Sequence, residues 1–158
     1  MSHHVPLAAV LALRLDGEGG ADPLLPGAEL PEQDVWMHLD YSSPHAYEWI
    51  KTSDLLPDGV RESLQGDSSR PKLVKANGGM LLTLRCINAN EGQRPDHMVA
   101  VRFYINDRII VSTRRRRVHA VEEIVQDLAK RMGPLNTADW LVDLCEHITE
   151  QAGDFIDE

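Results

Sequence analysis

The sequence predicts an α+β domain in α/β/α layers, with a mixed, largely antiparallel central sheet flanked by helices. Three observations carry this reading. Strand-like alternation fills the middle of the chain, from Lys72 to Ser112. Two turn signals, Asn77-Gly78-Gly79 and Asn106-Asp107, fold that stretch into hairpins. After Arg117 the apolar period changes from 2 to 3.6, so helices close the chain.

Taken in order, Val5 to Leu15 reads as a buried strand, ended by the Gly- and Pro-rich Asp16 to Pro31, which leaves no run for a regular element. In Asp34 to Tyr41, Val35, Met37 and Leu39 alternate with Trp36, His38 and Asp40, a strand pattern. Ser43 as N-cap and Pro44 at the first helical position open a helix. A second short helix starts near Asp58 and stops near Gly66. Each hairpin then supplies two strands, the second pair being Met98–Ile105 and Ile109–Ser112, with the polar loop from Ala89 to Asp96 between the hairpins. On Met98–Ile105, Val99, Val101, Phe103 and Ile105 share one face, with Arg102 and Tyr104 on the other.

Val118, Val121, Val125, Leu128 and Met132 mark the apolar face of a helix ending at Gly133-Pro134. The last helix begins after Asn136 or Thr137 and buries Leu141, Leu144, Cys145, Ile148, Ala152 and Phe155. It has no stop signal at Glu158, so the expectation is a single domain, 1–158, of a longer protein.

The length of 158 residues suits one core, and 42% hydrophobic with 26% charged residues is ordinary for a globular chain. Sixteen Lys and Arg against 25 Asp and Glu leave a net charge of −9, which argues against nucleic acid as a partner. The two cysteines, Cys86 and Cys145, have no metal-ligand spacing and cannot form a disulfide framework. The longest apolar run, Val5 to Leu13, is far shorter than the roughly 18 residues of a membrane span, and no basic segment precedes it as in a signal peptide.

Two clusters stand out against this background. Arg114, Arg115, Arg116 and Arg117 occupy a strand-to-helix connection, where they can be solvated, pair with Glu122 or Glu123, hold an anion, or meet another subunit. On the last helix Asp143, His147, Glu150 and Asp154 follow one another at i, i+3 or i, i+4, so neighbouring side chains can approach one cation. Imidazole with carboxylate suits zinc, though a solvated acidic face has the same pattern. No nucleophile elbow, HExxH, Walker loop or dinucleotide fingerprint occurs, which weighs against an enzyme.

The segment from Met80 to Ile124 resembles the cytoplasmic domain of the zinc transporters in the CorA superfamily of divalent-metal transport proteins. Leu84-Arg85-Cys86-Ile87-Asn88-Ala89-Asn90, Gly92, Asp96-His97-Met98-Val99 and the run from Ser112 to Arg117 into Ala120 stand where that family has similar residues. Val35 to Ile50, with Trp36, His38, Leu39, Asp40 and Trp49, and Arg70 to Lys72 are similar as well. The resemblance implies a cytoplasmic domain at the bacterial inner membrane, a homopentameric funnel, and a last helix continuing into transmembrane helices beyond this sequence. It implies Zn2+ as the transported or regulatory ion, with no organic cofactor. A relative carrying magnesium, cobalt or nickel, or a stand-alone module binding an anion or protein through Arg114–Arg117, are the alternative readings.

Overall fold

The computed structural model describes the backbone of residues 4–64, 72–76, 78–86 and 99–157, and their side chains except those of 72, 73, 76 and 152–157. Its strands are β1 (Leu11–Leu15), β2 (Ala21–Pro23), β3 (Val35–Asp40), β4 (Lys72–Ala76), β5 (Gly79–Cys86), β6 (Val99–Ile105) and β7 (Ile109–Arg114). The helices are α1 (Pro44–Thr52), α2 (Asp58–Leu64), α3 (His119–Ala129) and α4 (Thr137–Asp157). The strands form one seven-stranded sheet in the order β2-β1-β3-β7-β6-β5-β4. Among the described strands only β3 and β7 run parallel, so the mixed, largely antiparallel sheet read from sequence is present.

Both faces of the sheet are covered. Leu15, Trp36, Val101, Phe103 and Ile110 point towards α3 and α4, where Val121, Ile124, Leu128, Trp140 and Leu144 complete one core. Met37, Leu39, Leu81, Tyr104 and Val111 point the other way, against Ala46, Ile50, Val60 and Leu64 of α1 and α2. The predicted division of β6 therefore holds: Val99 to Ile105 in steps of two face α3 and α4, and Tyr104 faces α2. Trp36 and His38 were read opposite the apolar face of β3, yet both are buried, because α3 and α4 cover that side of the sheet too, with Trp140 against Trp36.

Several boundaries differ from the sequence reading, each for a local reason. Strand β1 starts only at Leu11; Pro6 offers no N–H to a ladder, and Val5 instead pairs with Gly27 and Ala28. The turn-rich stretch holds the short edge strand β2, whose Pro23 is tolerated because the edge needs no further donor. Strand β7 runs two residues past Ser112, since Tyr41 N–H still bonds to Arg114 O. Ser43 sits at the N-cap of α1 without a side-chain bond to the helix, and Pro44 alone sets its start.

Helix α3 ends at Ala129, short of Met132. Met132 N–H bonds to Asp127 O and Arg131 N–H to Leu128 O, a closing motif with Arg131 in the left-handed region at φ 59°. Met132 is accordingly 76% exposed rather than part of the apolar face. The stop near Gly66, the loop from Ala89 to Asp96 and the side chains of Ala152 and Phe155 lie outside the described residues.

Candidate functional site

Helix α4 is built to begin where it does. Asn136 Oδ1 accepts Asp139 N–H at 2.9 Å, and Asp139 Oδ2 accepts Leu135 N–H at 3.2 Å, a reciprocal box that fixes the first turn. From there Trp140 and Leu144 are fully buried, with Leu141 and Ile148 packed beside them, so the acidic residues are carried on the outer sides.

The four candidate metal ligands do not share one environment. Asp143 is half-buried, and its carboxyl is raised by desolvation and by the neighbouring charges of Glu146 and Asp139. Glu150 is exposed, and the Asp154 side chain lies outside the described residues. His147 makes its contacts with α3. Its Nε2 lies 2.8 Å from Asp127 Oδ2 and its Nδ1 3.4 Å from Glu123 Oε1. The longer approach is not a hydrogen bond. Glu123 Oε1 also accepts Gln151 Nε2 at 2.6 Å.

This arrangement ties α4 to α3. The two ring nitrogens of an imidazole point in divergent directions, so Asp127 and Glu123 cannot join His147 around one ion. Among the described residues no three His, Cys, Asp or Glu side chains form a metal-ligating group. Sequence reasoning missed Asp127 and Glu123. Their i, i+4 spacing on α3 was legible, but which helix face meets His147 is set by packing.

The arginines also separate. Arg117 makes a bidentate pair with Glu122, Nε to Oε2 at 2.7 Å and Nη2 to Oε1 at 2.8 Å. That pair holds the Glu122 carboxyl below its ordinary range and raises the Arg117 guanidinium. Glu122 in the first turn of α3 is also favoured by the helix dipole. Arg114 closes β7 in register with Asp40 of β3, and its buried Nε has no hydrogen-bond partner among the described residues. Arg115 and Arg116 are exposed and form no ion pair among the described residues. Of the two acids named as partners, Glu122 serves and Glu123 is taken by α4.

A two-faced mixed sheet covered by helices on both sides places the chain in a structural class, the α/β/α layered domains. The family model described as CorA-like Mg2+ transporter protein matches residues 31–158, and the chain belongs to that family. It is 44% identical over 151 residues to the zinc transport protein ZntB of Cronobacter sakazakii (strain ATCC BAA-894), covering 95% of this chain. It spans 46% of that relative's length.

The crystal structure of the ZntB cytoplasmic domain from Vibrio parahaemolyticus RIMD 2210633 superposes with a TM-score of 0.84 at 25% identity, covering 95% of this chain and 61% of that one. The structure of the full-length CmaX protein gives 0.87 at 27% identity, covering 96% and 48% respectively. The resemblance read from Val35 to Ile124 is thus confirmed. Among the described residues no helix is long and apolar enough to cross a membrane.

Proposed function

We propose that this chain is the cytoplasmic domain of a zinc transporter, working as part of a homopentameric funnel that gathers cations for a pore formed by helices outside this sequence. The observation that carries the reading is the 44% identity to a zinc transport protein across 95% of the chain. The fold shared with a ZntB cytoplasmic domain supports it. In this reading the mechanism is electrostatic. Asp143, Glu146, Glu150 and Asp154 repeat around the funnel, and a focused negative field raises local cation concentration roughly 10-fold or more.

His147 joins the zinc-binding set only by leaving Asp127, so metal occupancy and the α3–α4 contact are coupled. Such coupling biases the pore to the extent that zinc binds its states differently. The exposed Arg115 and Arg116 serve as contacts to a neighbouring subunit or to an anion. Val142, 54% exposed beside Cys145 on α4, offers that neighbour an apolar seam.

Calorimetric titration of zinc into wild type, His147→Ala and the double variant Asp143→Asn/Glu150→Gln tests this. The double variant is expected to lose most of the zinc heat and His147→Ala part of it. Identical isotherms for all three would remove α4 as the cation face. Magnesium competing equally with zinc would instead favour a magnesium, cobalt or nickel transporter of the same family.

A further inference from the structure

On the sheet face that meets α2, the register of β5, β6 and β7 sets Thr83, Arg102 and Thr113 side by side. All three are buried, with Arg102 only 5% exposed. Leu64, the last residue of α2, lies against this row, since its carbonyl accepts the Thr113 hydroxyl at 3.1 Å. Arginine is almost never buried to this degree without a partner.

Arg102 has no such partner in the row. It forms no ion pair among the described residues, and its buried Nη2 has no hydrogen-bond acceptor among them. The acids of α2 are engaged elsewhere or solvated: Asp58 pairs with Arg61 at 3.0 Å, and Glu62 is exposed. A lysine or histidine so placed would shed its proton, whereas a guanidinium stays charged. A buried charge left alone is strongly unfavourable. The row is therefore short of one negative charge, and neither threonine would repel it.

We infer that Arg102 binds a small monovalent oxyanion of the carboxylate or bicarbonate kind, held between Arg102 and Thr83 on the α2 side of the sheet. One guanidinium balances a single negative charge. Its coplanar N–H groups match two oxygens of a planar anion, a fit that a halide ion lacks. The hydroxyl of Thr83, the register partner on β5, can donate to the same oxygens. Neither zinc nor the acidic sides of α4 takes part, so this site is independent of the transport reading.

The test is the urea midpoint of the 158-residue chain in rising sodium formate or sodium bicarbonate, against sodium chloride at equal ionic strength and pH. A ligand of the folded state raises the midpoint logarithmically once it exceeds its dissociation constant. Formate or bicarbonate is expected to do so, and chloride is not. Thr83→Val, which loses a hydrogen bond to a charged group, is expected to weaken the anion about tenfold. Arg102→Leu is expected to abolish the response. In chloride alone its midpoint equals or exceeds that of wild type, because an apolar side chain replaces an unpaired buried charge. A carboxylate of the chain itself on Arg102 would give the opposite result: Arg102→Leu less stable in every salt, and no gain from formate or bicarbonate in wild type. That outcome, equal responses to the three salts, or an unchanged response in Thr83→Val would each overturn the assignment. If Arg102→Leu fails to fold, the salt comparison in wild type and Thr83→Val still decide.

Discussion

The Ser112 hydroxyl stands 2.7 Å from His38 Nδ1 and accepts the Trp36 indole N–H at 2.9 Å, all three residues buried. His38 and Ser112 are register partners across the one parallel pair of strands, β3 and β7. The contact from Ser112 Oγ to Met37 O is long, at 3.4 Å, so the short bond to His38 is the one that counts. Ser112→Ala leaves the Trp36 N–H and His38 Nδ1 buried without their partner. It is expected to cost about 1–3 kcal/mol, read as a lowered urea midpoint near neutral pH. An unchanged midpoint would mean that water replaces the hydroxyl.

His38 also makes stability depend on pH. Burial, and then the nearby Arg114 charge, lower its pKa from 6.5 to about 3. Between those values the unfolded chain binds a proton that the folded chain refuses, so stability rises with pH across the window. The contribution is complete above about 6.5 and is lost as pH falls towards 3, a total on the order of a few kcal/mol. His38→Gln removes this term. Its urea midpoint is expected to change less than that of wild type between about pH 5 and 6.5, above the range where carboxylates titrate. Parallel profiles would exclude His38 as the source.

The α3–α4 contact gives a sharper contrast between neighbours on one helix. His147 is 17% exposed and hydrogen-bonded to Asp127, whereas Glu150 is exposed. His147→Ala is expected to cost about 1 kcal/mol, a figure kept low because Asp127 is partly solvated. Glu150→Gln is expected to stay within about 0.5 kcal/mol of wild type. Thermal melts of the two variants compare them directly, and equal losses would show that the His147 bond adds nothing.

The layered fold was legible because each core strand and helix states its period locally. Strands β5 to β7 and helices α3 and α4 are all present where turn signals and periodicity put them, with the ends of β7 and α3 shifted. What stayed hidden depends on contacts between elements. The burial of Trp36 and His38 follows from helices covering that side of the sheet, which the alternation of β3 cannot report. The acidic spacing on α4 was readable, but the contact of His147 with Asp127 was not, since it depends on how α3 and α4 pack together. The Arg117–Glu122 pair was readable because its partners are five residues apart and sit at one junction.

The end of α3 offers a stabilising substitution. Arg131 holds φ 59°, a conformation that costs an L side chain about 1 kcal/mol and glycine almost nothing. Its backbone N–H bond to Leu128 O is independent of the side chain. Arg131→Gly is therefore expected to raise stability by roughly 0.5–1 kcal/mol, less the loss of the weak attraction between Arg131 and Asp16. A higher urea midpoint checks it, and a lower one would show that the Arg131 side chain contributes more than the strain it carries.

Trp140 separates two energetic terms that usually act together. Its ring meets Trp36 edge-on at 5.4 Å and Phe103 at 5.1 Å, fully buried, while its Nε1 has no hydrogen-bond partner among the described residues. Trp140→Ala removes the packing and leaves a cavity, for an expected loss of about 3–5 kcal/mol. Trp140→Phe leaves a smaller cavity and keeps an aromatic edge against both neighbours. It also removes a buried donor whose desolvation costs about 1–3 kcal/mol. The two terms oppose each other in this variant, so Trp140→Phe is expected to lose less than half of what Trp140→Ala loses. Urea denaturation of both variants decides the matter: equal losses would mean that the indole N–H is satisfied in solution and that ring volume alone holds α4 on the sheet.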